Sequence, residues 1–307
     1  MSREPLIVAL DRPAAQDRRF PTLAVLSDYW TLTKPEVNFL ILITTYAGFY
    51  LGDASTGRQF SFLALFNTLL GTLLVASGTA TLNQYIERIF DSQMRRTSRR
   101  PAADGRLEPP AVLTFGIVLS AVGCIYLALA VNLLASLLAL FTLLSYLFLY
   151  TPLKRRTALC VLVGAFPGAM PPLIGWAAAS GRLSMEAWLL YAVLFLWQFP
   201  HFMAIAWMYR EDYDRAGYQM LPKGNARISI VNLQTILPLI ALVPISIVQP
   251  PLGHAMIFYS TELLLGLGFF YVGLQFGLER SRGAARRLLA TSIVYLPLLF
   301  GVRIMLR

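Results

Sequence analysis

Charged residues are scarce in this sequence of 307 amino acids. They make up 14% of the chain, whereas hydrophobic residues make up 57% and the mean hydropathy is +0.60. This composition excludes a soluble domain, because one water-exposed globule of this length cannot hide so much apolar surface. At about 20 apolar residues per span, the sequence predicts an all-α membrane protein, a bundle of nine transmembrane helices near residues 36–52, 62–90, 111–131, 133–150, 158–178, 186–209, 229–249, 252–276 and 286–306.

Paired cysteines, long linkers and targeting segments are also missing. Cys124 and Cys160 lie apart in apolar stretches, so neither a disulfide framework nor a zinc site is supported. The first 27 residues mix acidic residues with arginines and lack a long apolar core, which argues against a secretory signal or a transit peptide. We therefore expect a cytoplasmic N-terminal arm over residues 1–30 and a single transmembrane domain over residues 31–307.

The positive charges are distributed unevenly, although the net charge is +10. Of the 26 Lys and Arg residues, all but Arg58, Arg182, Arg303 and Arg307 lie on one side of the predicted spans. Cytoplasmic loops are enriched in Lys and Arg, which predicts a cytoplasmic N-terminus and, most simply, a bacterial plasma (inner) membrane. Any single arginine is equally well explained as an anchor to anionic lipid.

Three polar residues at four-residue spacing close the second predicted helix. Asn83, Glu87 and Asp91 would share one helical face and span about 12 Å. Their oxygen atoms suit Mg²⁺, which usually keeps several waters and takes further ligands from substrate phosphates. A basic run over residues 95–100 follows at once. The pattern predicts a metal-diphosphate site at a membrane surface, and the alternative is a solvated helix end.

A second polar cluster occupies the short loop over residues 150–157. Pro152 is expected to end a helix there, leaving three consecutive cations, Lys154 to Arg156, at the membrane interface. These cations are able to cover phosphate oxygens. The alternative is that they only anchor the loop on the positive side of the membrane.

A third polar cluster lies in residues 197–222, on the same predicted side of the membrane. His201 precedes Asp212 by 11 residues, about three turns, so one continuous helix would place both on the same face. Pro200 weakens this expectation, because proline kinks helices. His201 is alternatively a structural histidine packed beside neighbouring tryptophans. Glu262, in the eighth predicted helix, has no partner that the sequence identifies.

The residues quoted above resemble the UbiA-type intramembrane prenyltransferases. The ladder of Asn83, Glu87 and Asp91, followed by Arg96-Thr97-x-x-Arg100-Pro101, is similar to the first signature of that superfamily. Further stretches resemble its haem-O-forming branch: LTKP at 32–35, YTPLKR at 150–155, WQFPHF at 197–202, DYDRAG at 212–217, MLP at 220–222, ARRL at 285–288 and SxxYLPL at 292–298. The resemblance therefore covers the chain from about Leu32 to Leu298.

The resemblance implies transfer of a farnesyl group from farnesyl diphosphate to a vinyl group of haem B, with Mg²⁺ as cofactor. His201 is assigned to haem placement. The implied catalytic residues are Asn83, Glu87, Asp91 and Asp212; the implied metal ligands are these four and Glu211; the implied diphosphate ligands are Lys34, Arg96, Arg100, Lys154 and Arg155.

The chain departs from the superfamily pattern at three positions. Glu87 replaces the usual Asp, and Ala216 replaces the second Asp of the second acidic signature. Phe199 replaces a proline that the haem-O-forming branch tends to have before His201. Because of the second departure, Asp214 is a further candidate for the second metal-binding cluster beside Glu211 and Asp212, although it matches the family pattern poorly.

Other functions remain open at this stage. A UbiA-type enzyme acting on an aromatic quinone precursor would share the ladder but not the WQFPHF and DYDRAG stretches. An ion-coupled secondary transporter would place its charged groups near mid-membrane, and a structural assembly subunit would not need the ladder. If the chain transfers farnesyl to haem B, the expected partners are farnesyl diphosphate, haem B, the lipid bilayer and either haem A synthase or oxidase assembly factors. No nucleic acid is expected as a partner.

Overall fold

A computed structural model describes residues 22–57, 59–221, 226–248 and 255–306, and every regular element within these ranges is a helix. The predicted arm over residues 1–30 lies outside them up to residue 21, as does Pro222. The first helices are α1 (Thr22–Leu32), α2 (Pro35–Ala54), α3 (Phe62–Asp91), α4 (Pro109–Ala130) and α5 (Leu133–Ser145). A π-helical turn (Tyr146–Tyr150) leads to α6 (Thr151–Leu153), α7 (Cys160–Gly168), α8 (Met170–Ser180) and α9 (Met185–Met208). The last are α10 (Arg210–Arg215), α11 (Ala226–Ile247), α12 (Ala255–Glu279) and α13 (Arg282–Met305).

Nine helical segments in the described residues are long and apolar enough to cross a membrane. Two of them are composite, since α5 joins α6 through the π-helical turn and α7 joins α8 at Ala169. Their number and order confirm the prediction of nine spans, and the chain is a multi-pass membrane protein. Helices α1 and α10 are short, and they contact α3 and α9 respectively.

Several predicted helix ends are wrong by a few residues. Helix α13 begins at Arg282 rather than 286, because the Ser281 side chain accepts a hydrogen bond from the Ala284 amide and caps the helix. The prediction at Pro152 differs by one residue, since the composite helix that begins at Leu133 and runs through the π-helical turn ends at Leu153.

The predicted continuous helix from His201 to Asp212 is also wrong. Helix α9 ends at Met208, and Tyr209 adopts φ −108° and ψ 20° before α10 begins at Arg210. The break gives Asp212 an orientation independent of His201.

Glu262 has a partner at the bundle end opposite the ladder. Arg303 Nε donates to Glu262 Oε1 at 2.9 Å, and Arg303 Nη2 donates to the Ser246 carbonyl at 2.6 Å. Both charged side chains are almost completely buried. Because a charge inside a membrane bundle needs a partner, this pair ties α11, α12 and α13 together and leaves Glu262 outside the ladder site.

Helices α2 and α8 pack at backbone contact. A Cβ atom on Gly48 would lie 2.1 Å from the Pro172 carbonyl oxygen, and one on Gly175 would lie 2.0 Å from the Thr45 carbonyl oxygen. Small residues allow such close approach between membrane helices. In the bilayer, helices associate through van der Waals packing rather than through the hydrophobic effect. This contact sets the position of α2, which carries Lys34 at its N-terminus.

Gly48→Ala is therefore expected to lower the free energy of unfolding by about 3 kcal/mol, because the added methyl group meets main-chain atoms that cannot rotate away. The measurement is the thermal unfolding midpoint in detergent. Gly268→Ala is the matched control, since its added Cβ would have no heavy atom within 4 Å. Equal midpoints for the two variants would contradict the close packing of α2 on α8.

Candidate active site

One cavity of about 410 Å³ runs into the bundle between α2, α3, the π-helical turn, α7, α8 and α9. Its inner wall is apolar and includes Val75, Ile174 and Leu194. Its other end is polar and charged. Of the predicted site residues, the lining includes Lys34, Asn83, Glu87, Asp91, Arg96, Arg100, Lys154 and His201.

The ladder residues are each buried and each contact a different cation. All three face the cavity from α3, as their spacing predicted. The cations come from the start of α2, the loop after α3 and the end of α6. The pairs are Lys34 Nζ to Asn83 Oδ1 at 3.1 Å, Lys154 Nζ to Glu87 Oε1 at 2.8 Å and Arg100 Nη1 to Asp91 Oδ2 at 2.8 Å.

Lys34 reaches the ladder through a sharp turn between α1 and α2. It adopts a left-handed conformation, φ 52° and ψ 63°, which is uncommon for a residue with a side chain. The Asn38 side chain donates to the Thr33 carbonyl at 2.8 Å and so fixes the turn. Burial and then the charges of Arg100 and Lys154 lower the pKa of Lys34 to about 7. A bound anion would oppose that shift and keep the amine charged.

Lys154 is oriented by the turn that carries it. Its Nζ lies 4.6 Å from the Tyr150 ring centroid, and the neighbouring Thr151 hydroxyl accepts from Asn83 Nδ2 at 3.3 Å. That second bond directs the amide oxygen of Asn83 towards Lys34. Burial alone would lower the pKa of Lys154, but the Glu87 carboxylate raises it well above its usual value.

Arg155, the other cation predicted in this loop, is exposed and does not line the cavity. Its guanidinium lies 4.1 Å from the centroid of the Phe90 ring. The structure therefore brings Lys154, but not Arg155, to the ladder.

The second acidic cluster lies beside the cavity rather than on its lining. Asp212 Oδ2 accepts from the backbone N–H of Arg96 at 3.3 Å, so it positions the turn from which Arg96 enters the cavity. Glu211 is exposed and pairs with Arg282 at 3.3 Å. Asp214 pairs with Arg227 at 3.0 Å. Within the described residues, no group of three His, Cys, Asp or Glu side chains is gathered to hold a metal.

Tyr218 is a lining residue that the sequence did not suggest. Gly217 adopts φ 72°, a conformation that favours glycine, and this turn returns Tyr218 to the cavity beside Glu87. The Gln219 amide donates to the Lys154 carbonyl at 2.7 Å, which joins the two loops. Burial, and then the charge of Glu87, raises the pKa of Tyr218, so its hydroxyl stays protonated. The sequence did contain one indication that Tyr218 belongs to the site, because this residue directly follows the DYDRAG stretch.

The polar end has more positive than negative charge. Four described cations and two described carboxylates line it, which gives an excess of two positive charges when Lys34 is protonated. This excess fits an anion. One amide and two carboxylates on one helical face also fit Mg²⁺, because this ion usually takes few protein ligands and completes its shell with phosphate oxygens and water. The arrangement is suited to a metal-bound diphosphate.

His201 lines the cavity from α9. Its Nδ1 atom lies 2.8 Å from the Ser292 hydroxyl on α13, and its ring stacks on Trp197 with centroids 4.6 Å apart. The sequence had left its role divided between structure and binding. The structure shows a hydrogen bond between Nδ1 and Ser292, and the ring also borders the cavity, so a binding role for His201 stays a prediction.

Comparison with known proteins identifies the family. A model of the UbiA prenyltransferase family matches residues 41–296. The chain is 49% identical to "Protoheme IX farnesyltransferase" of Solibacter usitatus (strain Ellin6076) over 287 residues, covering 91% of this chain and 98% of that protein. It is 41% identical to the protein of the same name from Koribacter versatilis (strain Ellin345), covering 91% and 93%. A solved UbiA homolog from Archaeoglobus fulgidus, bound to GPP and Mg²⁺, has a TM-score of 0.65 at 15% identity and covers 90% of this chain and 99% of its own. This chain belongs to the UbiA prenyltransferase family, and it is a membrane prenyltransferase.

Proposed function

We propose that this enzyme transfers a farnesyl group from farnesyl diphosphate to a vinyl group of haem B, with addition of water, to give haem O. The observation that carries this proposal is a single cavity that joins the cation-paired ladder to an apolar inner part, called here the apolar chamber, which His201 borders. The relatives named protoheme IX farnesyltransferase support the choice of acceptor. The Archaeoglobus homolog bound to GPP and Mg²⁺ supports the choice of leaving group and metal.

The ladder would hold Mg²⁺ through Asn83, Glu87 and Asp91, and the bound ion would neutralise charge on the diphosphate. Asp212 supports this site through Arg96, and Glu211 pairs with Arg282 and does not line the cavity. In this proposal the second acidic cluster positions residues rather than ligating the metal.

The cations of the cavity assist the departure of the diphosphate. The allylic C1–O bond breaks with both electrons going to oxygen, and fixed positive charges stabilise the negative charge that develops there. A vinyl carbon of haem B then forms a bond to C1. Water adds to the resulting cation and loses a proton, which leaves the hydroxyl group of the product. The cations in this role are Lys34, Arg96, Arg100 and Lys154.

The apolar wall has a separate task. Val75, Ile174 and Leu194 face the chamber below the ladder, where the isoprenoid chain would lie. An apolar surround keeps water away from the farnesyl cation until the vinyl group has reacted.

Orientation in the membrane completes the proposal. The excess of Lys and Arg on the ladder side of the spans supports a cytoplasmic N-terminus and an active site that faces the cytoplasm of a bacterial inner membrane. Residues 31–307 would form one domain, because α11 and α13 both pack against α9, which lines the cavity. Haem A synthase or oxidase assembly factors are the partners that would receive the product.

The proposal predicts that the purified full-length protein, given haem B, Mg²⁺ and farnesyl diphosphate, forms a haem adduct heavier by a farnesyl group and a hydroxyl group. Mass spectrometry of the extracted porphyrins measures this product. Omission of farnesyl diphosphate or addition of a chelator is the control, and either should abolish it. Prenylation of an aromatic acid without any haem adduct would overturn the acceptor assignment and leave the family unchanged.

A further inference from the structure

The Ser292 hydroxyl lies between His201 and the backbone of its own helix. Ser292 Oγ is 2.6 Å from the Leu289 carbonyl oxygen and 2.8 Å from His201 Nδ1. The Ser292 side chain is completely buried. Its hydrogen-bonding choices are therefore limited to these two neighbours among the described residues.

These distances determine where the protons lie. Two oxygen atoms at 2.6 Å require a hydrogen between them, and a carbonyl oxygen has none to give, so the Ser292 hydroxyl donates to Leu289. A serine hydroxyl has one hydrogen, so towards His201 its oxygen can only accept. Nδ1 of His201 consequently carries the ring proton, and the lone pair of the neutral imidazole is on Nε2.

The orientation of the ring is fixed as well as its tautomer. Trp197 stacks on the imidazole at an interplanar angle of 25°, and its own Nε1–H donates to the Ser292 carbonyl at 2.8 Å. Phe202 packs edge-on, with ring centroids 5.7 Å apart. Ser292 thus holds both the imidazole and the indole beneath it. Nε2, on the other side of the ring from Nδ1, has no hydrogen-bond partner among the described residues, and the ring borders the cavity.

We infer that Ser292 is a positioning residue that presents the unprotonated Nε2 of His201 to the iron of a metalloporphyrin. This inference rests on the proposed function and deepens it. A neutral imidazole whose other nitrogen donates to a fixed acceptor is the usual form of a histidine ligand, since that hydrogen bond sets the tautomer and raises the basicity of the ligating nitrogen. Here the acceptor is the Ser292 hydroxyl, which in turn donates its own hydrogen to the Leu289 carbonyl.

The test compares haem B with iron-free protoporphyrin IX, using full-length protein in detergent. Ferric haem titrations are followed by absorption, the ferrous iron–histidine stretch by resonance Raman, and protoporphyrin binding by fluorescence. His201→Ala should remove the iron–histidine band and weaken haem binding. Ser292→Ala should shift the band and weaken haem binding by about tenfold. Ser292→Thr keeps the hydroxyl and should restore both. Protoporphyrin affinity should change in none of the three variants, because it has no iron to ligate.

Three results would overturn the inference: an unchanged iron–histidine band in His201→Ala, equal haem affinity in Ser292→Ala and Ser292→Thr, or equal weakening of both porphyrins together with a lowered unfolding midpoint. The third would show a packing role alone. Failure of the proposed function gives a different pattern, because the parent protein would then make no haem O. Haem O formation by the parent together with any of the three results would reject this role of His201 and Ser292 and leave the proposed function standing.

Discussion

Asp91→Asn is expected to lower kcat/KM for farnesyl diphosphate by at least about a hundredfold, because it removes one of the two ladder carboxylates that would hold Mg²⁺ against the leaving group. Asp91 is almost completely buried at the end of α3 and pairs with Arg100 at 2.8 Å. The neutral amide keeps the shape of the side chain, so the fold should be retained. The concentration of Mg²⁺ needed for half-maximal rate should rise in parallel.

The measurement is the initial rate of diphosphate release against farnesyl diphosphate at several Mg²⁺ concentrations. Asp104→Asn is the matched control, since Asp104 lies in the loop that follows the ladder, is exposed and pairs with Arg106 away from the cavity. Its rate should stay within about twofold of the parent rate, because exposed ion pairs contribute little. An Asp91→Asn enzyme as active as this control would remove the ladder from the mechanism.

Lys154→Met is expected to have two effects of different origin. Loss of a cation from the polar end should lower kcat by about a hundredfold, since less positive charge would stabilise the departing diphosphate. Loss of the partner of Glu87 should also destabilise the fold by about 3 kcal/mol, because a carboxylate would be left buried and unpaired. Both side chains of this pair are largely buried, and their charged atoms are 2.8 Å apart.

Arg156→Met is the matched control for Lys154→Met. Arg156 is two residues away and exposed, and it does not line the cavity. It should keep the parent rate and unfolding midpoint, because it is only one of several cations on this side of the membrane. Rates and midpoints are measured on the same detergent preparations. If the two variants lose equal activity, the loop acts through its total charge, and the contact between Lys154 and Glu87 is not needed for catalysis.

The ladder was predictable because helical periodicity is a local property. Asn83, Glu87 and Asp91 lie within nine consecutive residues, and any helix through them puts all three on one face. The predicted second helix ended at residue 90, and α3 ends at Asp91. The spans were predictable for a similar reason, since every backbone group in a bilayer must be satisfied within its own helix.

The partners of the ladder were less predictable, because they depend on contacts between distant parts of the chain. The sequence placed Lys154 and Arg155 together as diphosphate ligands, and only the packing of the α6 turn separates them. In the same way Asp212 matched a metal signature, yet the break at Tyr209 turns it towards the backbone of Arg96. Ser292 lies 91 residues from His201, and nothing in their local sequence indicates contact.

The sequence by itself determined the class of protein, the nine spans, the ladder and the family, because composition, periodicity and short motifs act over a few turns of helix. Tertiary structure alone decided which cation contacts which ladder residue, which acidic residues stay off the cavity, and which nitrogen of His201 remains available. These outcomes follow from contacts between distant parts of the chain, such as those of Asp212 with Arg96 and of Ser292 with His201. Such contacts set distances to a few tenths of an ångström between residues far apart in the chain.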